Sequence, residues 1–236
     1  MELPPLVPGR ILRRYKRFLA DIELENGDVV VAHCPNTGAM TGCWAPGAPV
    51  QISASTNPRR KLAWTLERVN MGNGWIGVNT ARVNRWIGHF IEQQAISDLA
   101  GYSSIQAEPI YQGHLEKKSR FDFVLSHPDR QDCYVEVKNT TLLLANDIAF
   151  PDSVSVRGQK HLKLLGHAAG RGYRCVMLYA VNRPEGSHFR PAREIDPVYA
   201  DELAHARSLG VETIALRIEH TETGVSSGAL IPFIGE

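Results

Sequence analysis

No two of the four cysteines, Cys34, Cys43, Cys133 and Cys175, stand in a CxxC pair. That absence leaves no zinc-site spacing, and four scattered thiols do not make the dense disulfide framework of a small secreted domain. No apolar run approaches the roughly 18 uninterrupted residues that a membrane helix needs. The opening residues, Met1-Glu2-Leu3-Pro4-Pro5, hold no basic stretch followed by an apolar one, so no secretory signal peptide is expected. Nor is there a large charge of one sign: 26 Lys/Arg against 25 Asp/Glu leave a net charge of +1. Internal repeats and low-complexity tracts are missing as well. The expectation is a soluble, cytoplasmic protein with reduced thiols and no membrane partner.

What is present is ordinary for a globular chain. At 236 residues with 43% hydrophobic side chains, there is ample material for one large core or two smaller ones. Charge is unevenly shared. Residues 1–80 carry nine Lys/Arg against six Asp/Glu, whereas the remainder carries seventeen against nineteen. The first third is basic and the rest slightly acidic.

The first 80 residues read as short strands separated by turns. Residues 10–24 alternate from Phe18 onward, placing Phe18, Ala20, Ile22 and Leu24 on one face. Asn26-Gly27 is a hairpin signal, after which 29–32 returns as a strand. Further strands are expected at 49–54, 62–69 and 75–79 between Gly, Pro and Asn turns. Five short strands without a helix suggest a small barrel of the oligonucleotide-binding type over residues 1–81; a strand-rich platform is the alternative. A helix follows, with Val83, Ile87, Phe90, Ile91, Ala95 and Leu99 at helical spacing and Gly101 as its stop. It links the first part to an α/β domain over residues 82–236. That domain is expected to hold strands at 105–111, 120–126, 132–138, 173–181 and 211–219, with helices at 157–170 and 197–209. Asp196-Pro197 supplies the last helix with an N-cap and a first residue. Strands alternating with helices imply a mixed sheet.

Two of those strands carry chemistry. In Phe121-Asp122-Phe123-Val124-Leu125, strand alternation buries the Phe and Leu side chains and turns Asp122 the other way. In Tyr134-Val135-Glu136-Val137-Lys138, the valines point inward and Glu136 and Lys138 project side by side. Residues 126–134 make a plausible hairpin connection, which would bring all three together. Neighbouring carboxylates repel unless something neutralises them. A hard divalent cation, Mg²⁺ or Mn²⁺, does so with oxygen ligands from Asp122 and Glu136. Lys138 then stands where it can orient or deprotonate a water and steady charge on a phosphate oxygen. An isolated ExK on a strand is more often a surface ion pair, so the arrangement as a whole carries the reading.

Asp122 with Glu136-Val137-Lys138 resembles the signature of the PD-(D/E)xK nucleases. More specifically, the chain is similar to the sugar fermentation stimulation protein A family. The resemblance rests on Arg14-Tyr15-Lys16-Arg17-Phe18, Cys34-Pro35-Asn36-Thr37-Gly38-Ala39-Met40, Asn79-Thr80, Asn84-Arg85 and Gly101-Tyr102. It continues through Arg120-Phe121-Asp122-Phe123, Glu136-Val137-Lys138, Phe150-Pro151-Asp152 and Arg157-Gly158-Gln159-Lys160-His161. It implies an OB-like barrel, a nuclease-like second domain, sequence-independent DNA binding and a regulatory role in maltose metabolism. It also implies an extra polar group beside the centre from the 157–170 helix, for which Gln159 and Lys160 are preferred to His161. Many such nucleases add an acidic ligand from the preceding helix. Glu92 is the candidate here, with Asp98 and Glu108 as rivals.

DNA contacts are expected first from Arg10, Arg13, Arg14, Lys16 and Arg17, a cationic strip that could follow a phosphate backbone while Tyr15 stacks on a base. Arg59-Arg60-Lys61 would touch the same backbone, with Lys160 on the helix. Asn36 either offers backbone N–H groups to an anion or closes an Asx-turn. Asn36, Asn79 and Asn84 gain weight through the resemblance, as DNA contacts or as ties at the barrel–helix junction. The four tryptophans read as core. Two activities fit: a DNA-binding protein with a nuclease-like metal centre, or an active metal-dependent nuclease. A barrel that binds a small molecule or a protein is a third. A homodimer is left open.

Overall fold

The computed structural model describes residues 1–112 and 119–235. Its first six strands are β1 (Leu6–Tyr15), β2 (Leu19–Leu24), β3 (Val29–His33), β4 (Pro49–Ala54), β5 (Trp64–Asn70) and β6 (Trp75–Gly77). They run in the order β3-β2-β1-β4-β5-β6, and a β3–β5 pairing closes the first five into a barrel. Closure abolishes the open sheet edges. Inside lie Ile11, Ala20, Ile22, Ala32, Ile52, Leu66, Val69 and Ile76, all fully buried. Removing each large aliphatic side chain from water stabilises by about 1.5–3 kcal/mol.

The expected strand at 10–24 is in fact a hairpin. Lys16 and Arg17 adopt φ of 49° and 66°, and the left-handed backbone reverses the chain there. Ala20 and Ile22 still face the core, but Phe18 stands at the tip and is 45% exposed. The strand over Leu6–Tyr15 escaped notice in its first half because Pro8 and Gly9 interrupt its alternation.

The second domain begins with α1 (Val83–Glu92) and continues through β7 (Ser104–Ala107), β8 (Ile110–Tyr111), β9 (Ser119–Arg120), β10 (Phe123–His127) and β11 (Arg130–Thr140). Then come β12 (Leu142–Leu144), β13 (Asp147–Phe150), α2 (Val156–Gly170), β14 (Arg174–Val181), β15 (Phe189–Pro191), α3 (Pro197–Ser208), β16 (Glu212–His220) and β17 (Val225–Leu230). The central sheet has the order β17-β16-β14-β11-β10-β7. It is mixed: β11, β14 and β16 are mutually parallel, and the outer strands are antiparallel. One face packs on α1 through Trp86, Ile87, Phe90, Phe123, Val135 and Val137. The other packs on α2 and α3 through Leu162, Leu165, Met177, Tyr179, Tyr199 and Leu203.

Several boundaries differ from expectation. The helix over 82–100 stops at Glu92, because Gln94 turns left-handed at φ 55° and a one-turn helix, Ser97–Leu99, follows. Gly101 is therefore not the stop. The strand at 120–126 breaks at Phe121-Asp122, so Phe121 joins the α2 side of the sheet while Phe123 and Leu125 face α1. The hairpin after β10 is tighter than 126–134, since His127 already pairs with Arg130. Strands β12, β13, β15 and β17 have no expected counterpart.

The two domains are sewn together by polar groups. Arg68 is buried and donates to Thr221 O at 2.6 Å and Glu222 O at 2.7 Å. Gly77 donates its N–H to Asn182 O at 2.8 Å, and a Cβ there would overlap the His220 ring. Glu67, also buried, takes both Arg82 nitrogens at 2.7 and 2.6 Å together with Asn79 and Ser53. A buried charge satisfied on every side is tolerable where an unpaired one is not.

Candidate metal centre

Asp122 stands in the bend just before β10, where its carbonyl accepts from Glu108 N at 2.9 Å. That bend swings the carboxylate toward β11. Oδ2 accepts the backbone N–H of Val137 at 2.7 Å, and Oδ1 accepts from Asn84 Nδ2 at 2.6 Å. Burial, then the charge of Glu136, lifts the Asp122 carboxyl above its usual range despite these hydrogen bonds. Asp122 is thus held against the backbone of Val137, the residue that follows Glu136 on β11.

Glu136 lies in mid-β11, almost wholly buried. Its Oε1 accepts from Lys138 Nζ at 2.5 Å and is in hydrogen-bond contact with His161 Nδ1. Lys138 Nζ and His161 Nδ1 are 3.3 Å apart. Burial alone would raise the Glu136 carboxyl, but the hydrogen bond from His161 and the charge of Lys138 outweigh it and hold the group below the usual range. Oε2 is buried and, among the described residues, has no hydrogen-bond partner. An unsatisfied carboxylate oxygen inside a protein is costly.

The remaining expected residues fall into distinct places. Gln159 does not reach the cluster: its Nε2 donates to both oxygens of Asp196, at 3.0 and 3.1 Å. His161, ranked behind it, takes the position instead, and Lys160 points into solvent. A helix packed across a sheet turns positions three and four apart to the same side. Gly158, Leu162 and Leu165 are buried, and their spacing was the signal that put His161 inward. Glu92 lines a cavity of about 470 Å³ with Asn84, Arg85, Glu108 and Asp122. Asp98 lies elsewhere, its carbonyl held by Arg174 Nη2 at 2.6 Å.

Could the residues hold a cation? The orphaned Glu136 Oε2 and the uncomfortable anion at Asp122 both fit one, since a positive ion between them would relieve each. Among the described residues no three His, Cys, Asp or Glu side chains gather closely enough to form a full cage. Two carboxylates would therefore be the protein's share, which suits an ion that keeps several waters.

The basic strip on β1 is partly spoken for. Arg13 Nε donates to Asp21 Oδ2 at 2.6 Å, and its guanidinium lies over the Tyr15 ring, 4.8 Å from the centroid. Tyr15 donates its hydroxyl to Asp21 Oδ1 at 3.0 Å. Tyr15 is thus covered on one face and tethered at the other end, which speaks against its stacking on a base. Arg14 Nη2 is turned inward to three carbonyls, of Arg17, Asn36 and Gly38. Arg10 Nη1 donates to Gly47 O at 2.8 Å. Among the described residues, Lys16 and Arg17 pair with no carboxylate. Asn36 is buried and its Oδ1 accepts Gly38 N at 2.9 Å, an Asx-turn that points no anion site outward. A Cβ at Gly38 would collide with the Asp152 carboxylate. Asn84 serves Asp122, and Asn79 serves Glu67. Arg59 and Lys61 are exposed between β4 and β5. Arg60 donates to Thr65 Oγ1 at 2.9 Å and, with His33, Asn79 and Arg82, lines a groove of about 550 Å³. Burial, then the charge of Arg60, lowers the His33 pKa. Trp86 is core as expected, whereas Trp44, Trp64 and Trp75 are half-buried at the barrel's margin.

Known proteins agree with this two-part layout. The sugar fermentation stimulation protein RE domain model matches residues 81–224, and the SfsA N-terminal OB domain model matches residues 12–78. A sugar fermentation stimulation protein homolog of Geotalea uraniireducens is 45% identical, with 96% of each chain covered. One from Magnetococcus marinus is 48% identical over 91% of this chain and 90% of that one. Among solved structures, that of Pyrococcus furiosus SfsA in complex with Ca²⁺ superposes with a TM-score of 0.87 at 26% identity, covering 99% of this chain and 98% of the other. With an OB barrel, a mixed-sheet second domain and full-length relatives at such identity, the chain belongs to the sugar fermentation stimulation protein family.

Proposed function

We propose that this protein binds DNA without sequence preference and holds a divalent cation between Asp122 and Glu136. One observation carries the cation: Glu136 Oε2 is buried without a partner among the described residues, and its charge disfavours the anion of a second carboxylate, Asp122. The Ca²⁺ of the Pyrococcus furiosus relative supports the same reading. Mg²⁺ or Mn²⁺ is the expected ion in a cell, since hard oxygen donors suit either. DNA is supported by exposed cations that pair with no carboxylate among the described residues, Lys16, Arg17, Arg59, Lys61 and Lys160. Four cysteines that are all buried and free support a cytoplasmic location. A regulatory part in sugar metabolism, maltose included, would act through that DNA binding.

Hydrolysis of the phosphodiester is the second reading, and the position of Lys138 favours it. A bound cation would polarise a phosphate oxygen and acidify a water. Lys138 keeps its ammonium 2.5 Å from Glu136 Oε1, next to where a phosphate oxygen would gain charge. His161 fixes the same carboxylate from the helix side, so the acid cannot swing away. Asn84 and Val137 orient Asp122.

Calorimetric titration with Mg²⁺, Mn²⁺ or Ca²⁺ tests the site: one ion should bind wild type, and Glu136→Gln or Asp122→Asn should abolish the heat. No uptake by wild type would end the proposal. Cleavage of single- and double-stranded DNA with Mg²⁺ or Mn²⁺ separates the two readings. If the protein is a nuclease, Lys138→Ala cuts at least about 100-fold more slowly while still binding DNA. If wild type binds and never cuts, binding alone is the function.

A further inference from the structure

Three consecutive side chains at the β1–β2 tip add nothing to any core. Lys16, Arg17 and Phe18 are all exposed, Phe18 to 45%. The left-handed backbone at Lys16 and Arg17 would suit glycine or asparagine better. Turn chemistry therefore does not account for these residues, and backbone strain of this kind collects where side chains have a task.

The tip is nevertheless firmly held. Arg14 Nη2 donates to Arg17 O at 2.7 Å and to Asn36 O and Gly38 O, each at 2.9 Å. Cys34 N donates to Phe18 O at 2.8 Å. These anchors lead toward the second domain, because Met40 N donates to Asp152 Oδ2 at 3.4 Å. Asp152 in turn precedes α2, the helix that carries His161 to Glu136. On the opposite flank Leu19 pairs with His33, which lines the groove that holds Arg60. Hydrogen bonds and strand pairing thus link the tip both to a strand that lines the cationic groove and to the segment that precedes α2.

We infer that Phe18 is a base-stacking platform flanked by Lys16 and Arg17 as phosphate contacts, and that the preferred ligand is single-stranded or locally unpaired DNA; this rests on the DNA-binding reading above. Cations alone track any phosphate backbone and do not distinguish strandedness. An aromatic face is useful only to a base that has left its stack, and it accepts any of the four. Tyr15 cannot serve, being covered by Arg13 and tied to Asp21. A tip whose Arg17 and Phe18 carbonyls are both held has little freedom left to lose on binding.

Fluorescence anisotropy with a labelled 20-mer single strand and its matched duplex tests this at low salt. Wild type should bind the single strand more tightly. Phe18→Ala should weaken single-strand binding by about five- to a hundred-fold and leave duplex binding within about two-fold. Phe18→Trp should restore single-strand binding and show quenched tryptophan emission on stacking. Circular dichroism and melting temperature confirm that each variant is folded. If wild type binds DNA and Phe18→Ala matches it on the single strand, the stacking role is overturned while DNA binding stands. If wild type binds neither strand, DNA binding itself falls and the platform with it.

Discussion

The imidazole of His220 lies edge-on to Trp86, with ring centroids 5.9 Å apart, and donates from Nε2 to Asn182 Oδ1 at 3.1 Å. Its Nδ1 is buried without a partner among the described residues, so a second proton there finds no acceptor among them. Burial first, and the Arg68 charge second, press its pKa down to about 4. An unfolded chain would take up that proton near the ordinary value of about 6.5. The folded state therefore keeps its full stability above about 6.5 and loses it as the pH falls toward 4, by about 3 kcal/mol in all. Urea unfolding at pH 7 and pH 4.5 should show the drop, and His220→Gln should flatten it; an unchanged slope in the variant would assign the effect elsewhere. At this scale the readable residues were those with a strand partner. Asp122, Glu136 and Lys138 could be paired from alternation, although Asp122 reaches the centre from a bend. Gln159 and His161 depended on how α2 rolls against the sheet, which follows from Leu162 and Leu165 and not from either polar residue. Asp196, the group that captures Gln159, lies too far along the chain for spacing to reveal it.

At the scale of elements, Asp196 ties two helix starts together. It caps α3 by accepting Tyr199 N at 2.9 Å and also accepts Ser155 N, the cap of α2, at 2.8 Å. Burial works against its charge, but the hydrogen bonds from Ser155, Tyr199 and Gln159 prevail and hold the carboxyl below its usual range. Asp196→Ala should cost at least about 2 kcal/mol, since it removes a cap and strands buried donors. Asp196→Asn, which keeps an acceptor, should cost less. Denaturant midpoints rank the two, and equal losses would show that the charge alone matters. The β1–β2 tip behaves in the opposite sense. Arg17→Gly relieves a left-handed φ of 66° and should raise stability by up to about 1 kcal/mol while weakening DNA binding. A gain in both would remove the reason for keeping arginine there. Long periodic elements such as α2, α3, β14 and β16 were legible because their cores repeat at one period. The short strands β12, β13 and β15 were not, because each has only three or four residues; β12 and β13 form a tight hairpin through Ala145-Asn146, and β15 joins β13 from a distant part of the chain.

At the scale of the whole molecule, a net charge of +1 gives no general attraction to DNA, so the proposed DNA binding has to draw on where the cations stand. The barrel's basic strip looked in sequence like one continuous phosphate track. The fold subtracts from it: Arg10 donates to Gly47 O, Arg13 is neutralised by Asp21, and Arg14 faces three carbonyls. Lys16, Arg17, Arg59, Lys61 and Lys160 remain, all exposed and unpaired with a carboxylate among the described residues, on the hairpin tip, the β4–β5 loop and α2. Each phosphate neutralised releases condensed counterions, so the number of contacts is readable from salt dependence. If all five engage a duplex, log K should fall against log salt with a slope of about −4 to −5, and of about −3 to −4 on a single strand. Lys16→Ala should make either slope shallower by about 1, whereas Arg14→Ala should damage the tip's folding before it alters the slope. Anisotropy titrations between 50 and 200 mM salt, on the order of a five-point series, measure both. A slope near zero would mean that binding does not run through these cations. A slope twice as steep would mean that a second copy of the chain, or residues now held by Asp21, joins the contact.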